Sequence, residues 1–275
     1  MSKPVILKVA GPEVGLPLWI FIKQRMKLSG NEAKRLLDTR RVFVNQQRVW
    51  MFRHELDAGD VVEVHLPQQE WTETPIEVLW QDEHYLIINK PSGFVSNGPN
   101  SIEERLAREL NRPVHAVHRL DRDTSGCMLL AWTTEDMEKM IPIFQRREVK
   151  KVYEGLVIGR VPSDLSVIER TVEGEEAVTL LKVLRHNRSA ARVEFTLITG
   201  RTHQIRRHLN AYKLHLAGEK NYGNTTLDNP VLRTIKRHML HAKLLGFPHP
   251  VTNTFVQARS GLPADYKKAA ADLGV

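Results

Sequence analysis

Residues 118–126 read HRLDRDTSG and place His118, Arg119, Asp121, Arg122 and Asp123 in one short stretch between apolar runs. Carboxylates so placed can act as general base, nucleophile or metal ligand. His115, His118, Asp121 and Asp123 are near neighbours in sequence, yet the chain has no His-Glu-x-x-His helix and no His-x-His pair. Metal binding is therefore not expected. The His-Arg-Asp order of a kinase loop is matched only superficially, without a glycine loop or an Asp-Phe-Gly. The simplest alternative is a salt-bridged turn, with Ser125-Gly126 opening the next strand. That reading suits Asp123, whose carboxylate is expected to cap Ser125 or the local backbone.

A second group lies at 198–209, ITGRTHQIRRHL. Gly200 permits a turn at a strand end, and Arg201 follows on that turn. An arginine there suits a fixed, bidentate partner for a carboxylate or phosphate. A helix beginning near Thr202 then carries Arg206, Arg207 and His208.

The elements that must hold these groups read as follows. From residue 76, two strands end at the Lys90-Pro91-Ser92-Gly93 turn. SIEERLARELN is a helix that Ser101 can cap, with Glu104 at the capping-box position. CMLLAW, KKVYEGLVIG and ARVEFTLIT read as strands, and TTEDMEKMIPIFQRR and HQIRRHLNA as helices. Strand and helix do not alternate regularly, which argues for α+β with a mixed, largely antiparallel sheet rather than a doubly wound fold. Neither GxGxxG nor GxxxxGK[ST] is present, so a nucleotide cofactor is not expected.

The first segment is organised differently. LPLWIFIKQRMK has the composition of a helix starting after Pro17, and NEAKRLLDTRR reads as a second, with Asn31 as its N-cap. Val42, Val44 and Val49 flank the turn residues Asn45-Gln46-Gln47, a hairpin pattern, and Ala58-Gly59-Asp60 leads into the strand VVEVHL. Lys23, Lys34, Arg35, Arg40, Arg41 and Arg48 crowd onto this small unit. The polar, proline-bounded stretch 66–75 reads as a linker. The expected organisation is thus two domains, 1–68 and 69–275. The chain is 275 residues long with a net charge of +8. A surface this basic attracts polyanions, of which nucleic acid is the commonest inside a cell. One cysteine, Cys127, excludes intrachain disulfides and a Cys-rich zinc finger. With no secretory h-region and no long apolar run, a soluble cytoplasmic protein is expected. No surplus apolar stripe demands a partner copy, so a monomer is expected.

NEAKRLLDTRRVFVNQQRV followed by AGDVVEV is similar to the small α/β RNA-binding module first described in ribosomal protein S4. HRLDRDTSG, then KKVY, TGRTHQIRRHL, RHMLHA and FPHP, resembles the RluA-type pseudouridine synthases over nearly the whole second segment. The resemblance implies the pseudouridine synthase fold and an enzyme that isomerises chosen uridines in RNA without cofactor or metal. It implies large-subunit rRNA as first choice of substrate and tRNA as second. It makes Asp121 the essential carboxylate, acting as nucleophile at C1′ or base at C2′, and assigns Arg201 as the cation that keeps it charged. By the same resemblance Arg119 fills the space a flipped base vacates. Tyr153 packs on the uracil and helps remove the C5 proton, Leu240 floors the pocket, and His118 holds the loop. Lys90-Pro91-Ser92-Gly93 resembles the family's first motif. The chain departs from the pattern with Ser96-Asn97 where a histidine is common, and with His215-Leu216 and Gly218-Glu219 where His-Pro and Gly-Asp are usual. Both departures are expected to lie away from Asp121 and to alter substrate contacts. A non-catalytic RNA-binding or ribosome-assembly factor on this fold is the rival reading, and the joint presence of Asp121, Tyr153 and Arg201 argues against it. RNA binding through the basic unit is expected to weaken steeply with salt.

Overall fold

A computed structural model describes residues 4–38, 40–65, 75–222 and 230–275. The chain divides into two compact units, Met1–Glu73 and Thr74–Val275. The expected linker and the 68/69 boundary fall almost wholly on 66–74, outside the described residues.

In the first unit β1 (Val5–Lys8), α1 (Leu18–Arg25), α2 (Gly30–Asp38), β2 (Val42–Val44), β3 (Gln47–Arg48) and β4 (Val61–Val64) follow in order. The antiparallel sheet runs β1-β4-β2-β3. Phe21 and Ile22 of α1, Ala33 and Leu37 of α2, and Val42, Val62 and Val64 of the sheet close one apolar core. The cap of α2 is Ser29, not Asn31. Ser29 Oγ accepts from Glu32 N–H (3.2 Å), and the Glu32 carboxylate accepts from Ser29 N–H (2.8 Å). This reciprocal Ser-x-x-Glu box satisfies two donors where Asn31 could satisfy one. The hairpin turn is Asn45-Gln46 alone, both at positive φ (50° and 67°) as a two-residue turn of the primed type requires. Gln47 already belongs to β3.

The second unit carries β5 (Val78–Gln81), β6 (Tyr85–Lys90), α3 (Ile102–Glu109), β7 (His115–Ala116), β8 (Ser125–Ala131), α4 (Thr134–Gln145) and β9 (Lys150–Ile158). It continues through β10 (Val167–Glu169), β11 (Val178–His186), β12 (Ala190–Leu197), α5 (Gln204–Ala211), β13 (His215–Leu216), α6 (Pro230–Thr234), β14 (Leu240–Pro248), β15 (Phe255–Arg259) and α7 (Ala264–Leu273). One sheet runs β10-β11-β12-β9-β14-β8-β6-β5, with β7, β13 and β15 attached to β8, β9 and β14. All its pairings are antiparallel except β8 with β14, so the sheet is mixed and largely antiparallel. Ser101 caps α3 as expected, accepting from Glu104 N–H. The Glu104 carboxylate reaches Asn100 N–H instead of closing the box.

The parallel β8–β14 junction places the site. Ser125 and Gly126 open β8 against His241 and Ala242 of β14. Gly126 has φ of 110°, and a Cβ there would fall well inside van der Waals contact of the Ala242 backbone. Gly126→Ala combines a disfavoured backbone with an overpacked junction. It should cost about 3 kcal/mol or more, read as a lowered urea midpoint at unchanged m-value. A midpoint equal to that of the unsubstituted protein would show that β8 and β14 are not in close backbone contact.

Candidate active site

Asp121 sits on the loop between β7 and β8, and that loop is tied down from several directions. Thr124 N–H donates to the Asp121 carbonyl (3.0 Å). Gly93 N–H donates to the Arg122 carbonyl (2.8 Å), and Arg122 Nε returns a bond to the Gly93 carbonyl (2.9 Å). Lys90, fully buried, donates from Nζ to the carbonyls of Pro91, Phe94 and Arg122 (3.0, 2.8 and 3.2 Å). Burial lowers its pKa to about 7. Three carbonyl acceptors match the three N–H bonds of an ammonium, which argues for the charged form here. The first-motif lysine thus staples the 90–94 turn to the loop that bears Asp121.

The loop is also held from the far end of the chain. Thr124 Oγ1 hydrogen-bonds His238 Nε2 (2.9 Å), and Ser125 Oγ hydrogen-bonds His241 Nδ1 (2.9 Å). Arg237 donates to the Asp123 carbonyl (2.9 Å) while its guanidinium forks onto Asp265 (2.7 and 3.0 Å). The expected cap from Asp123 to Ser125 is therefore replaced. The Ser125 hydroxyl is engaged by His241, because the parallel junction brings β14 directly alongside.

A cavity of about 300 Å³ opens over this loop. A space of that size lies at the small end of ligand pockets and suits one nucleobase with part of its sugar. His118, Arg119, Asp121, Tyr153, Arg201 and Leu240 all line it. Tyr153 is brought by β9 and Leu240 by the start of β14, and both are nearly covered. Arg119 and Arg201 are exposed. His118 Nε2 accepts from Leu129 N–H (3.0 Å) and its ring packs on Phe144, so it holds the loop. Burial lowers its pKa to about 4, which keeps it neutral. Burial first, and then the charge of Asp121, pushes the Tyr153 phenol well above its ordinary range. A phenol in that state packs and donates. Lys151 adds a cation to the wall, its pKa lowered to about 8 chiefly by burial.

The cation paired with Asp121 is Arg206, not Arg201. Arg206 Nη1 lies 3.0 Å from Asp121 Oδ2. Arg206 also forks onto Glu219, with Nε to Oε2 at 2.7 Å and Nη2 to Oε1 at 2.6 Å. Arg201 turns the other way, its Nε donating to the Glu176 carbonyl (3.1 Å) and Nη2 pairing with Glu175 (3.2 Å). The cause is the strand-to-helix corner. Buried Gln204 accepts from Arg201 N–H (2.9 Å) and Thr199 Oγ1 (2.7 Å) and donates to the Val178 carbonyl (3.0 Å) and Thr179 Oγ1 (2.9 Å). That anchor sets the first turn of α5 so that Arg206 faces inward while Arg201 stays outside. The Arg206 side chain is 5% exposed and that of Glu219 1%, against 39% for Arg201. Only the desolvated guanidinium acts on a carboxylate at close to full electrostatic strength.

Both departures from the family pattern prove to touch this machinery. Glu219 is the second carboxylate on Arg206, and Lys220 and Asn221 N–H also donate to it (3.0 and 2.9 Å). Burial works against its charge, but Arg206 and these donors hold its carboxyl well below the usual range. Ser96 is buried, and its hydroxyl donates to the Leu120 carbonyl and accepts from Leu120 N–H, both at 2.9 Å, one residue before Asp121. Arg206, Glu219, Ser96 and His238 are the site residues the sequence reading missed. A signal existed for Arg206: it lies three residues before buried Leu209 and beside buried Ile205, on the inward face of a helix.

In the first unit Lys23, Lys34, Arg35, Arg40 and Arg48 are exposed and Arg41 is half-buried. Lys34 lies over the Trp19 ring (4.8 Å), Arg40 over Trp50 (5.8 Å) and Arg48 over Phe43 (5.2 Å). Among the described residues no group of His, Cys, Asp or Glu is placed to hold a metal ion. No described helix is long and apolar enough to cross a membrane.

The chain was compared with known proteins. Residues 84–211 match the RNA pseudouridylate synthase family. An uncharacterized RNA pseudouridine synthase of Bacillus subtilis is 34% identical over 78% of this chain and 85% of its own length. Ribosomal large subunit pseudouridine synthase D of Pseudomonas aeruginosa is 33% identical over 72% of each chain. Among solved structures, human RNA pseudouridylate synthase domain containing 4 superposes with a TM-score of 0.61 at 26% identity, covering 72% of this chain and 93% of that one. Fold and site together define an RNA-modifying isomerase. The chain belongs to the RNA pseudouridine synthase family, whose members convert uridine to pseudouridine in RNA.

Proposed function

We propose that this enzyme isomerises a uridine of large-subunit ribosomal RNA, with Asp121 as the reacting carboxylate. The observation that carries the reading is that Asp121 lines the cavity while its Oδ2 is held by Arg206. Relatives named as large-subunit rRNA enzymes support the substrate. In the reaction the N1–C1′ bond breaks, a C5–C1′ bond forms, and the hydrogen of C5 is replaced by one on N1. Atoms balance within one nucleotide, so the reaction needs no second substrate. Asp121 Oδ1 meets the sugar, as nucleophile at C1′ or base at C2′. The target base must leave its stack, at a cost of a few kcal/mol. Arg119, exposed at the cavity, occupies the vacated space or holds the flipped backbone. Arg201 faces RNA as a further cation, and Tyr153 and Leu240 cover the uracil. The first unit acts as an S4-like module that binds RNA backbone through Lys23, Lys34, Arg35, Arg40, Arg41 and Arg48. The enzyme works as a cytoplasmic monomer.

Carbodiimide mapping of large-subunit rRNA from a deletion strain tests the substrate. One pseudouridine should disappear and return on complementation. An unchanged rRNA map with a pseudouridine lost from tRNA would overturn the rRNA assignment.

A further inference from the structure

Arg206 accounts for one oxygen of Asp121. The other, Oδ1, faces His203, whose Nε2 is 3.7 Å away. His203 is the residue before α5 and sits in the left-handed region, at φ 56° and ψ 28°. A non-glycine residue held there is an unfavourable choice that surrounding contacts must enforce, and such residues cluster at functional positions.

The His203 side chain is held by Tyr222. Its hydroxyl lies 2.8 Å from His203 Nδ1 and 3.0 Å from Arg207 Nε. Its ring lies under both Arg206 and Arg207, 5.1 and 5.6 Å from their guanidinium carbons. Arginine only donates, so the Tyr222 oxygen accepts from Arg207. The hydroxyl proton is then available for a bond to His203 Nδ1. An imidazole that accepts at Nδ1 carries its proton on Nε2, and that proton points toward Asp121. Burial is the largest influence on His203 and lowers its pKa. Asp121 and Glu219 oppose that shift, and Arg206 and Arg207 reinforce it. The ring is accordingly neutral at neutral pH.

We propose that Tyr222 and His203 form a positioning pair that locks the neutral imidazole as the Nε2–H tautomer and orients Asp121 Oδ1 toward the substrate sugar. This rests on Asp121 being the reacting group. Arg206 and His203 grip the carboxylate from opposite oxygens, which fixes its plane. Arg206 supplies charge and His203 supplies direction. The 3.7 Å separation closes to hydrogen-bond length when the nucleotide excludes water from the cavity, as catalytic contacts that are loose in the free enzyme do. A neutral donor here stabilises the carboxylate without making the permanent ion pair with Oδ1 that an imidazolium would.

Single-turnover tritium release from RNA labelled at uridine C5, with RNA affinity measured in parallel, tests the pair. His203→Ala should slow release about 100-fold, as loss of one preorganised donor does, with RNA affinity unchanged within about threefold. His203→Gln, whose amide N–H reaches the place of Nε2, should recover most of that loss. His203→Asn, whose amide reaches only the place of Nδ1, should not. Tyr222→Phe keeps the ring and removes only the proton donor, and should slow release about tenfold. Release from His203→Ala within threefold of the unsubstituted rate would overturn the proposal. Equal impairment by Gln and Asn would reduce His203 to scaffold and overturn it equally. Should His203→Ala not fold, Tyr222→Phe decides: an unchanged rate there rules out the tautomer lock. Asp121→Asn runs alongside as the control, and turnover in that variant would sink the assignment of Asp121 itself, separately from the role of His203.

Discussion

Asp121→Asn will bind its RNA and yield no pseudouridine. The amide has the shape of the carboxylate and can still accept from Arg206 through its oxygen, so the loop tied by Lys90, Ser96, Thr124 and Arg237 has no reason to move. What is lost is the negative charge and the lone pair that attacks C1′ or takes the C2′ proton. A positioned acid–base group contributes about 10²–10⁴-fold, and among the described residues no second carboxylate lines the cavity to substitute for it. RNA affinity should stay within about threefold, because phosphate contacts set it and Asp121 makes none. Tritium release and filter binding on the same preparation read both halves. Turnover at more than a tenth of the unsubstituted rate would remove Asp121 from the reaction.

Arg206→Met will lose both activity and stability, for one reason. The arginine bridges Asp121 and Glu219, and its removal leaves two carboxylates facing each other with Glu219 almost wholly out of water. Removing one partner from a buried ion pair costs about 3–5 kcal/mol, which urea denaturation will read directly. Arg206→Lys should not restore it, since one ammonium cannot fork onto Glu219 and reach Asp121 together. Glu219→Gln in the Arg206→Met background should recover part of the stability, because no unpaired charge is then buried, but none of the activity. The pH dependence should invert as well. In the intact enzyme Glu219 has a depressed pKa, so its contribution is complete above its ordinary titration range and is lost only as pH falls through the lowered value. In Arg206→Met the guanidinium no longer opposes burial and only the Lys220 and Asn221 amides do, so that pKa should rise above its ordinary value and the native state bind more protons than the unfolded one. Stability should then increase as pH falls from 7 toward 5, the opposite slope to the parent. Parallel slopes in the two proteins would show that Arg206 does not carry Glu219.

Local signals decided most of the elements. Pro17 before an apolar run opened α1, Ser101 capped α3, and alternating valines marked the β2–β3 hairpin. The expectation of Asn31 as the α2 cap failed, because the Ser-x-x-Glu pair at 29 and 32 is the stronger local signal. Strand β14 was not legible in the same way. It is covered on both faces, so it does not alternate, and its parallel partner β8 lies more than a hundred residues earlier.

The sequence by itself marked the family: HRLDRDTSG and the motifs after it carry the resemblance that the comparisons bear out, and that resemblance implies Asp121 as the carboxylate. By the same resemblance Arg201, in the 198–209 motif, was expected to meet that carboxylate, and Arg206 of the same motif meets it instead. Only the tertiary structure decided which arginine. Arg201 and Arg206 are five positions apart in one motif, and both belong to the cavity wall. The buried Gln204 at the β12–α5 corner turns one outward to Glu175 and Glu176 and the other inward to Asp121 and Glu219. Charge and spacing are properties of the chain. The direction a side chain takes, and the water it loses on the way, belong to the packing around it.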